Sequence, residues 1–170
     1  MAGMDLAAVL SVSRALDTAD VRYWVGGGWG VDILVGRQTR DHRDLDLSID
    51  HAALDRTVAA LTDLGYAMET DQFPSRGEFA CHGVGWVDVH PVELDADRRG
   101  GRQRDLVGGW FEYPAGCFTI ATIDGHEIPC LTAAQQLTFH TGYEPRPADL
   151  HDIALLTDLL DTANYHPRSP

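Results

Sequence analysis

Residues 44–50 read Asp-Leu-Asp-Leu-Ser-Ile-Asp, a strict alternation of polar and apolar side chains. In a β-strand successive side chains point to opposite faces of the sheet. The leucines and the isoleucine therefore predict a buried face, and Asp44 and Asp46 fall together on the other face. Two carboxylates with this spacing lie about 7 Å apart along the strand and can bind one hard cation. A solvated strand face whose acids serve only solubility is the alternative interpretation.

A glycine-rich turn lies upstream of this strand. Residues 21–25 read Val-Arg-Tyr-Trp-Val, which indicates a strand, and Gly26-Gly27-Gly28-Trp29-Gly30 follows. A short helix is predicted over 31–35, ending at Gly36. A glycine turn that opens a helix presents unpaired backbone N–H groups, which suit a phosphate. We therefore expect one sheet edge to bind both a triphosphate, at Gly27 and Gly28, and its magnesium ion.

A second alternating stretch, Trp86-Val87-Asp88-Val89-His90, places Asp88 and His90 on one face of another strand. A third acid is what a site with two metal ions needs to activate an attacking hydroxyl. Asp88 is the candidate for this acid. Taken alone, it is an ordinary exposed strand residue.

The loop before Asp44 is basic and supplies candidates for phosphate binding. Arg40 and Arg43 flank the acids, and guanidinium groups pair with phosphate oxygens at two points. A solvated basic loop is the alternative for Arg43. We expect His42 to orient the loop through a hydrogen bond, and Asp32 to brace the glycine turn rather than bind metal.

The remaining patterns predict helices packed on a mixed sheet, an α+β domain. Asp5 and Asp50 are expected to cap helices, the second of which closes at Gly65. The later predicted elements are strands over 77–82 and 84–94, a flexible loop over 95–109, a hairpin of 117–123 and 127–131, helices over 132–141 and 148–160, and a tail over 164–170.

Composition excludes several classes of function. The 170 residues include 26 Asp plus Glu against 13 Lys plus Arg, a formal net charge of −13, which argues against binding to nucleic acid or to an anionic membrane. The length predicts a single domain over residues 1–170. The three cysteines lack CxxC spacing, so buried reduced thiols are expected. With neither a signal peptide nor a membrane span in the sequence, we expect a cytoplasmic protein.

Three motifs taken together resemble a known superfamily. They are Gly27-Gly28-Trp29-Gly30-Val31-Asp32, Arg40-Asp41-His42-Arg43-Asp44-Leu45-Asp46 and Val87-Asp88-Val89-His90-Pro91. This pattern is similar to that of the antibiotic nucleotidyltransferases of the polymerase-β-type superfamily. It most resembles the small lincosamide nucleotidyltransferases and, more distantly, the aminoglycoside adenylyltransferases that modify a 2″-hydroxyl. The similarity continues through residues 73–76, 128–130, 139–143 and 151–153.

This resemblance implies a polymerase-β-type α+β fold. It also implies a magnesium-dependent transfer of AMP to a hydroxyl of a small antibiotic, with a lincosamide as the first candidate. ATP or another nucleoside triphosphate is the implied donor. Two Mg²⁺ ions are implied, with Asp44, Asp46 and Asp88 as ligands and Asp88 also as general base. The implied contacts are Gly27, Gly28, Trp29, Arg40 and Arg43 for the nucleotide, and His90, His140 and Tyr143 for the acceptor.

Other interpretations of the same fold stay open. The acceptor is alternatively an aminoglycoside, a protein side chain or a tRNA end, and a non-catalytic nucleotide-binding module is a further alternative. Residues 95–109 and Glu93 depart from the lincosamide pattern, and both bear on the acceptor. The acid surplus suits a small cationic acceptor. A homodimer with its site near the interface is also expected from the resemblance.

Overall fold

The computed structural model describes residues 3–164, so the predicted tail over 164–170 lies outside the described residues except for Asn164. Within this range the chain forms five α-helices and nine β-strands. The helices are α1 (Leu6–Thr18), α2 (Gly27–Val35), α3 (Leu54–Asp63), α4 (Ala133–Phe139) and α5 (Pro147–Asn164). The strands are β1 (Tyr23–Gly26), β2 (Asp44–Asp50), β3 (Ala67–Gln72), β4 (Arg76–Cys81), β5 (Gly85–Leu94), β6 (Gly101–Arg104), β7 (Trp110–Tyr113), β8 (Phe118–Ile123) and β9 (His126–Leu131).

All nine of these strands belong to one mixed sheet. Seven strands follow the order β3-β4-β5-β2-β1-β9-β8. The long strand β5 pairs with β2 in parallel along most of its length, and its last three residues pair with β6, which pairs in turn with β7. The β6–β7 hairpin therefore extends the sheet beside the end of β5.

The alternation over residues 44–50 is confirmed. Leu45, Leu47 and Ile49 are fully buried in the main core, which also includes side chains from α1, α2 and α3. A smaller cluster contains Trp24 and Tyr113, with Phe139 packed against it. Because β2 lies between β5 and β1, its acidic face is at the centre of the sheet and not at an exposed edge.

Capping and turn residues in the sequence correctly predicted where most helices and strands begin or end. The Asp5 carboxylate accepts a hydrogen bond from the Ala8 N–H at 2.8 Å and caps α1, and Thr132 caps α4 in the same way. The β8–β9 hairpin turns at Asp124 and Gly125, both with positive φ, as a tight hairpin of this handedness requires. All three cysteines are free thiols, as predicted, and Cys117 and Cys130 are buried.

Three predictions about elements were wrong. The region 95–109 is not one flexible loop, because it contains β6 and the start of the β6–β7 hairpin. Strand β3 was missed because it lies at a sheet edge with mostly exposed residues and shows no apolar alternation. Helix α2 begins at Gly27 itself, not after the glycines, because Gly27 alone, with φ of +56°, makes the turn from strand to helix.

Within residues 3–164, no helix combines the length and the hydropathy needed to cross a bilayer.

Candidate active site

The parallel pairing of β2 and β5 brings two acids side by side. Asp46 is directly opposite Asp88 in the register, and Ser48 is opposite His90. One candidate ligand atom from each of Asp46, Asp88 and His90 lies within 4.8 Å of the other two. Asp44 lies on the same face of β2 as Asp46. It lines a cavity together with Asp46 and His90, but it is not part of this tight cluster.

Nearby positive charge offsets only part of the cost of burying this cluster, although Arg76 Nε lies 3.7 Å from Asp88 Oδ1. Burial raises the pKa of Asp88 to about 6, and the Asp46 carboxylate adds to this shift, although His90 and Arg76 oppose it. Burial also raises the pKa of Asp44, again with a contribution from Asp46. The Oδ1 atom of Asp88 is buried without a hydrogen-bond partner. Carboxylate oxygens are the ligands that Mg²⁺ prefers, so these acids fit a divalent cation.

The turn at the start of α2 lies against these acids. A β-carbon on Gly27 would overlap the Asp46 carboxylate, and one on Gly28 would overlap the Arg40 guanidinium and the His42 ring. The first N–H groups of a helix have no partner within the helix and attract anions. Gly27 and Gly28 therefore keep the start of α2 open between the acids and Arg40.

We expect Gly27→Ala to lower kcat/KM at least tenfold, because the new methyl group displaces the Asp46 carboxylate. The left-handed backbone at this position adds a stability cost of about 1–2 kcal/mol for a residue with a side chain. Gly83→Ala is the matched control, since Gly83 has φ of +81° but no atom lies within 4 Å of the place its methyl group would take. Steady-state kinetics and urea unfolding of both variants test this. Equal losses of activity in the two variants would contradict the prediction.

Arg40 is held by the C-terminal helix. Its Nε and Nη2 atoms donate to the two carboxylate oxygens of Asp152 at 3.0 and 2.7 Å. His140 Nε2 lies 3.9 Å from the same carboxylate. Burial alone would raise the pKa of Asp152, but the nearby His140 ring and the hydrogen bonds from Arg40 outweigh it and lower the pKa to about 2. Asp152 is therefore a buried anion that fixes the Arg40 side chain from α5.

A second buried contact fixes the basic loop itself. His42 Nε2 lies 2.6 Å from Asp32 Oδ2, and the Thr39 N–H donates to the same oxygen at 3.0 Å. Burial would raise the pKa of Asp32, but the hydrogen bonds from His42 and Thr39 outweigh it and lower that pKa. Asp32 thus braces the loop that holds Arg40, and His42 orients this loop by a hydrogen bond.

A cavity of about 400 Å³ joins these groups. Asp44, Asp46 and His90 line it together with the α2 turn and Arg40. Phe111, Tyr113 and Phe139 form an aromatic wall, in which both other rings pack edge-on against Phe139. The other lining residues include His140, Tyr143, Arg146, Asp149 and Asp152.

Residues 8–156 match the family model described as aminoglycoside-2''-adenylyltransferase. The chain belongs to this family. It is 36% identical over 139 residues to a lincosamide resistance protein of Staphylococcus haemolyticus, an alignment that covers 82% of this chain and 86% of that protein. It is 44% identical over 48 residues to a 2''-aminoglycoside nucleotidyltransferase of Escherichia coli, which is 26% of this chain and 27% of that protein.

Solved structures agree with this assignment. The lincosamide antibiotic adenylyltransferase LnuA, with lincomycin bound, superposes with a TM-score of 0.84 at 32% identity, covering 92% of this chain and 99% of that chain. ANT(2'')-Ia in complex with adenylyl-2''-tobramycin has a TM-score of 0.73 at 17% identity, covering 92% of this chain and 90% of that one, a likeness of fold only. The protein is an antibiotic nucleotidyltransferase with a polymerase-β-type α+β fold, as the sequence predicted.

Most residues predicted for the site of this adenylyltransferase line the cavity. Gly27, Gly28, Arg40, Asp44, Asp46, His90, His140 and Tyr143 do so. Asp88 does not line the cavity, but it belongs to the acid cluster with Asp46 and His90. His90, predicted to contact the acceptor, lines the cavity and also lies near two acids, with Nε2 at 3.5 Å from Asp46 Oδ1 and 3.7 Å from Asp88 Oδ2.

Two predicted nucleotide contacts of the adenylyltransferase do not lie in the cavity. Trp29 is fully buried and packs against His42 with 4.7 Å between ring centroids, so its ring is not available to a base. The Arg43 guanidinium lies over the Trp86 ring at 4.8 Å from its centroid, and Arg43 does not line the cavity. The Trp29 side chain is directed into the core, whereas the exposed Arg43 side chain reaches Trp86, which shares a face of β5 with Asp88.

Sequence reasoning about the adenylyltransferase missed residues from later elements. Gln103, Tyr113, Asp149 and Asp152 all line the cavity. Gln103 lies in a segment too polar to indicate a strand, and Tyr113 follows it in the same hairpin. Asp149 and Asp152 have a spacing of three in the first turns of α5, which places both acids on one helix face. This spacing is a signal that sequence alone offered.

Proposed function

We propose that this adenylyltransferase transfers AMP from MgATP to a hydroxyl of a lincosamide and so inactivates the antibiotic. The observation that carries the proposal is the pair of adjacent acids, Asp46 and Asp88, beside the helix start at Gly27, where Asp46 and Gly27 both line the cavity. The similarity to a lincosamide resistance protein over most of the chain supports the choice of acceptor. The aromatic wall supports it further, because it offers apolar surface to the hydrocarbon part of such a molecule.

Each group at the site has a role in this reaction. Asp44, Asp46 and Asp88 are the proposed ligands of one or two Mg²⁺ ions. When bound, Mg²⁺ neutralises phosphate charge and lowers the pKa of a nearby hydroxyl. The Asp88 carboxylate accepts the proton of the acceptor hydroxyl, whose oxygen forms the new bond to the α-phosphorus as the bond to pyrophosphate breaks.

Phosphate binding falls to the start of α2 and to Arg40. The first backbone N–H groups of a helix have no partner within the helix and can bind an anion. A β-carbon on Gly28 would overlap the Arg40 guanidinium, so this positive charge lies against the helix start. Asp152 already occupies Nε and Nη2 of Arg40, so the guanidinium is oriented before the nucleotide binds. Such preorganisation lowers the entropy lost on binding.

The acceptor side of the cavity combines aromatic and acidic groups. Tyr143 and Asp149 line it along with the aromatic wall, and His140 lies nearby. Lincosamides and aminoglycosides both have amines, so an acidic lining favours either class over an anionic acceptor. An aminoglycoside is the second candidate acceptor, because the matching family model is described by that activity.

The test is incubation of the purified protein with MgATP and a panel of lincomycin, clindamycin, tobramycin and kanamycin, followed by mass spectrometry. We expect a mass increase of one AMP on a lincosamide, and release of pyrophosphate. Product on an aminoglycoside alone would replace the acceptor, and product on neither class would overturn the proposal. Replacing ATP with GTP, CTP or UTP in the same assay measures the nucleotide preference. The homodimer and the cytoplasmic location stay predictions.

A further inference from the structure

Ser48 is a buried polar residue on the cavity face of β2. It follows Asp44 and Asp46 on this face of the strand, it lines the cavity, and only 4% of its surface is exposed. Its Oγ atom lies 3.0 Å from the hydroxyl oxygen of Tyr113 in the aromatic wall. Among residues 3–164, Tyr113 is the only protein group that hydrogen-bonds to this oxygen. Ser48 therefore has unused hydrogen-bonding capacity at the cavity.

The direction of the hydrogen bond between Ser48 and Tyr113 is decided by Gln103. Gln103 Nε2 lies 3.1 Å from the backbone carbonyl oxygen of Ser75, and a carbonyl only accepts hydrogen bonds, so the amide NH₂ group must face Ser75. Gln103 Oε1 then accepts a hydrogen bond from the Tyr113 hydroxyl at 3.0 Å. A phenol has a single hydrogen to donate, and here it is donated to Gln103. The hydroxyl hydrogen of Ser48 is therefore directed to the Tyr113 oxygen.

The reverse direction would leave a buried acceptor without a donor. If Tyr113 donated to Ser48, Gln103 Oε1 would lose its hydrogen bond, although only 7% of Gln103 is exposed. An unsatisfied buried polar atom costs more than an ordinary hydrogen bond contributes, so this arrangement is disfavoured. With its hydrogen committed to Tyr113, Ser48 offers only oxygen lone pairs to the cavity. Lone pairs bind a hydrogen-bond donor and not a phosphate oxygen.

Ser48 lies on the side of Asp46 that is away from the start of α2. In the β1–β2 register, Gly26 at the end of β1 is opposite Asp46, whereas Trp24 is opposite Ser48. Ser48 is thus about 7 Å farther along the strand from the helix start than Asp46. In a transfer of this kind the attacking oxygen and the leaving oxygen lie roughly in line, on opposite sides of the phosphorus. With pyrophosphate at the start of α2, the attacking hydroxyl approaches from the side of Ser48.

We propose that Ser48 is a specificity-determining residue that accepts a hydrogen bond from a second donor group of the antibiotic, a hydroxyl or an amine close to the hydroxyl that reacts. The inference rests on the proposed function for the direction of attack. A sugar ring with several hydroxyl or amine groups meets this requirement, because it has a second donor beside the reacting oxygen. The single hydroxyl of a protein side chain does not. The Ser48 contact therefore favours a sugar-containing antibiotic over a protein acceptor.

Ser48→Ala removes the lone pairs with little change in volume. We expect its KM for the best acceptor of the panel to rise about five- to tenfold at saturating MgATP, the effect of one lost hydrogen bond. The Kd for MgATP, measured by calorimetry without antibiotic, should stay within about twofold, because the contact is not to a phosphate. Ser11→Ala, at an exposed position on α1, is the matched control and should change neither value. An unchanged acceptor KM, or a Kd for MgATP raised about fivefold or more, would overturn the proposal.

Analogues of the acceptor separate a direct contact from a change in the shape of the aromatic wall. Each analogue lacks one hydroxyl or one amine of the best acceptor. We expect one analogue, the one without the donor that Ser48 binds, to have the same KM with the unsubstituted protein and with Ser48→Ala. A loss of equal size with every analogue would show that Ser48 only supports Tyr113, and would overturn the proposal.

Failure of the proposed function has a different signature. The unsubstituted protein would then form no adenylylated product with any antibiotic of the panel. In that case calorimetry with lincomycin and with kanamycin, in the presence of Mg²⁺ and an ATP analogue that is not cleaved between its α- and β-phosphates, measures binding alone. Weaker binding to Ser48→Ala than to the unsubstituted protein would still support the Ser48 contact. Equal binding to the two proteins, or binding to neither, would overturn it.

Discussion

Asp88→Asn is expected to lower kcat by about 10³-fold or more, because the amide neither accepts the proton of the acceptor hydroxyl nor offers a charged ligand to Mg²⁺. The change keeps the size and shape of the side chain. Measured kcat with MgATP and the best acceptor from the panel tests the prediction. Asp63→Asn is the control, since Asp63 is an exposed acid on α3. Activity of Asp88→Asn within tenfold of the unsubstituted protein would exclude Asp88 as the base.

The same substitution should not weaken the metal-free fold at pH 7. The raised pKa of Asp88 means that its charged form is disfavoured in the folded state. The charge lowers the free energy of unfolding above about pH 6, and this loss disappears as the pH falls toward the unfolded-state value near 4. Urea unfolding in EDTA should therefore find Asp88→Asn as stable as the unsubstituted protein, or more stable, at pH 7. The difference should shrink between pH 6 and pH 4.

Asp152→Asn is expected to affect both the nucleotide and the fold. The amide loses the paired hydrogen bonds to Arg40, so the guanidinium is no longer fixed beside Gly28. We expect KM for ATP to rise about tenfold, which corresponds to about 1.4 kcal/mol. The value of kcat should change less than KM, because Asp152 does not contact the acid cluster. Asp158→Asn, exposed on the same helix, is the control.

The pH dependence of stability gives a second readout for Asp152. Its folded-state pKa of about 2 lies below the ordinary value of 3.8. The carboxylate therefore stabilises the folded state above about pH 4, by about 2 kcal/mol, and this contribution is lost as the pH falls toward 2. The difference in free energy of unfolding between the unsubstituted protein and Asp152→Asn should be largest near pH 7 and smaller near pH 3. A constant difference across this range would show that Asp152 does not act through its charge.

Local patterns predicted the parts of the site that depend on one strand or one turn. The two-residue period of residues 44–50 assigned Asp44 and Asp46 to one face, because side-chain direction in a strand is fixed by the backbone alone. The glycines at the start of α2 indicated an open helix start for the same reason. The same reasoning wrongly predicted a flexible loop over residues 95–109, because strand β6 has a buried Gln103 and exposed arginines in place of an apolar alternation.

The side chain of Trp29 is fully buried and does not lie in the cavity. The family resemblance implied that Trp29 contacts the nucleotide, but α2 directs this side chain into the main core. Which face of a short helix is buried depends on what packs against it, and the helix sequence is apolar on nearly all sides. Arg43 lies in the loop before β2, and its contact with Trp86 on the neighbouring strand depends on strand pairing that its own segment does not encode.

The sequence by itself determined the strand faces, the glycine turn, the helix caps and the family, because each of these follows from short-range backbone geometry or from motifs that are read in order. Only the tertiary structure decided which groups meet. The β2–β5 register places Asp46 beside Asp88, and the return of α5 places Asp152 on Arg40, 112 positions away in the chain. The orientation of the Gln103 amide depends on three partners from three separate segments. Contacts of this kind depend on how distant segments pack, and no local period of the sequence encodes them.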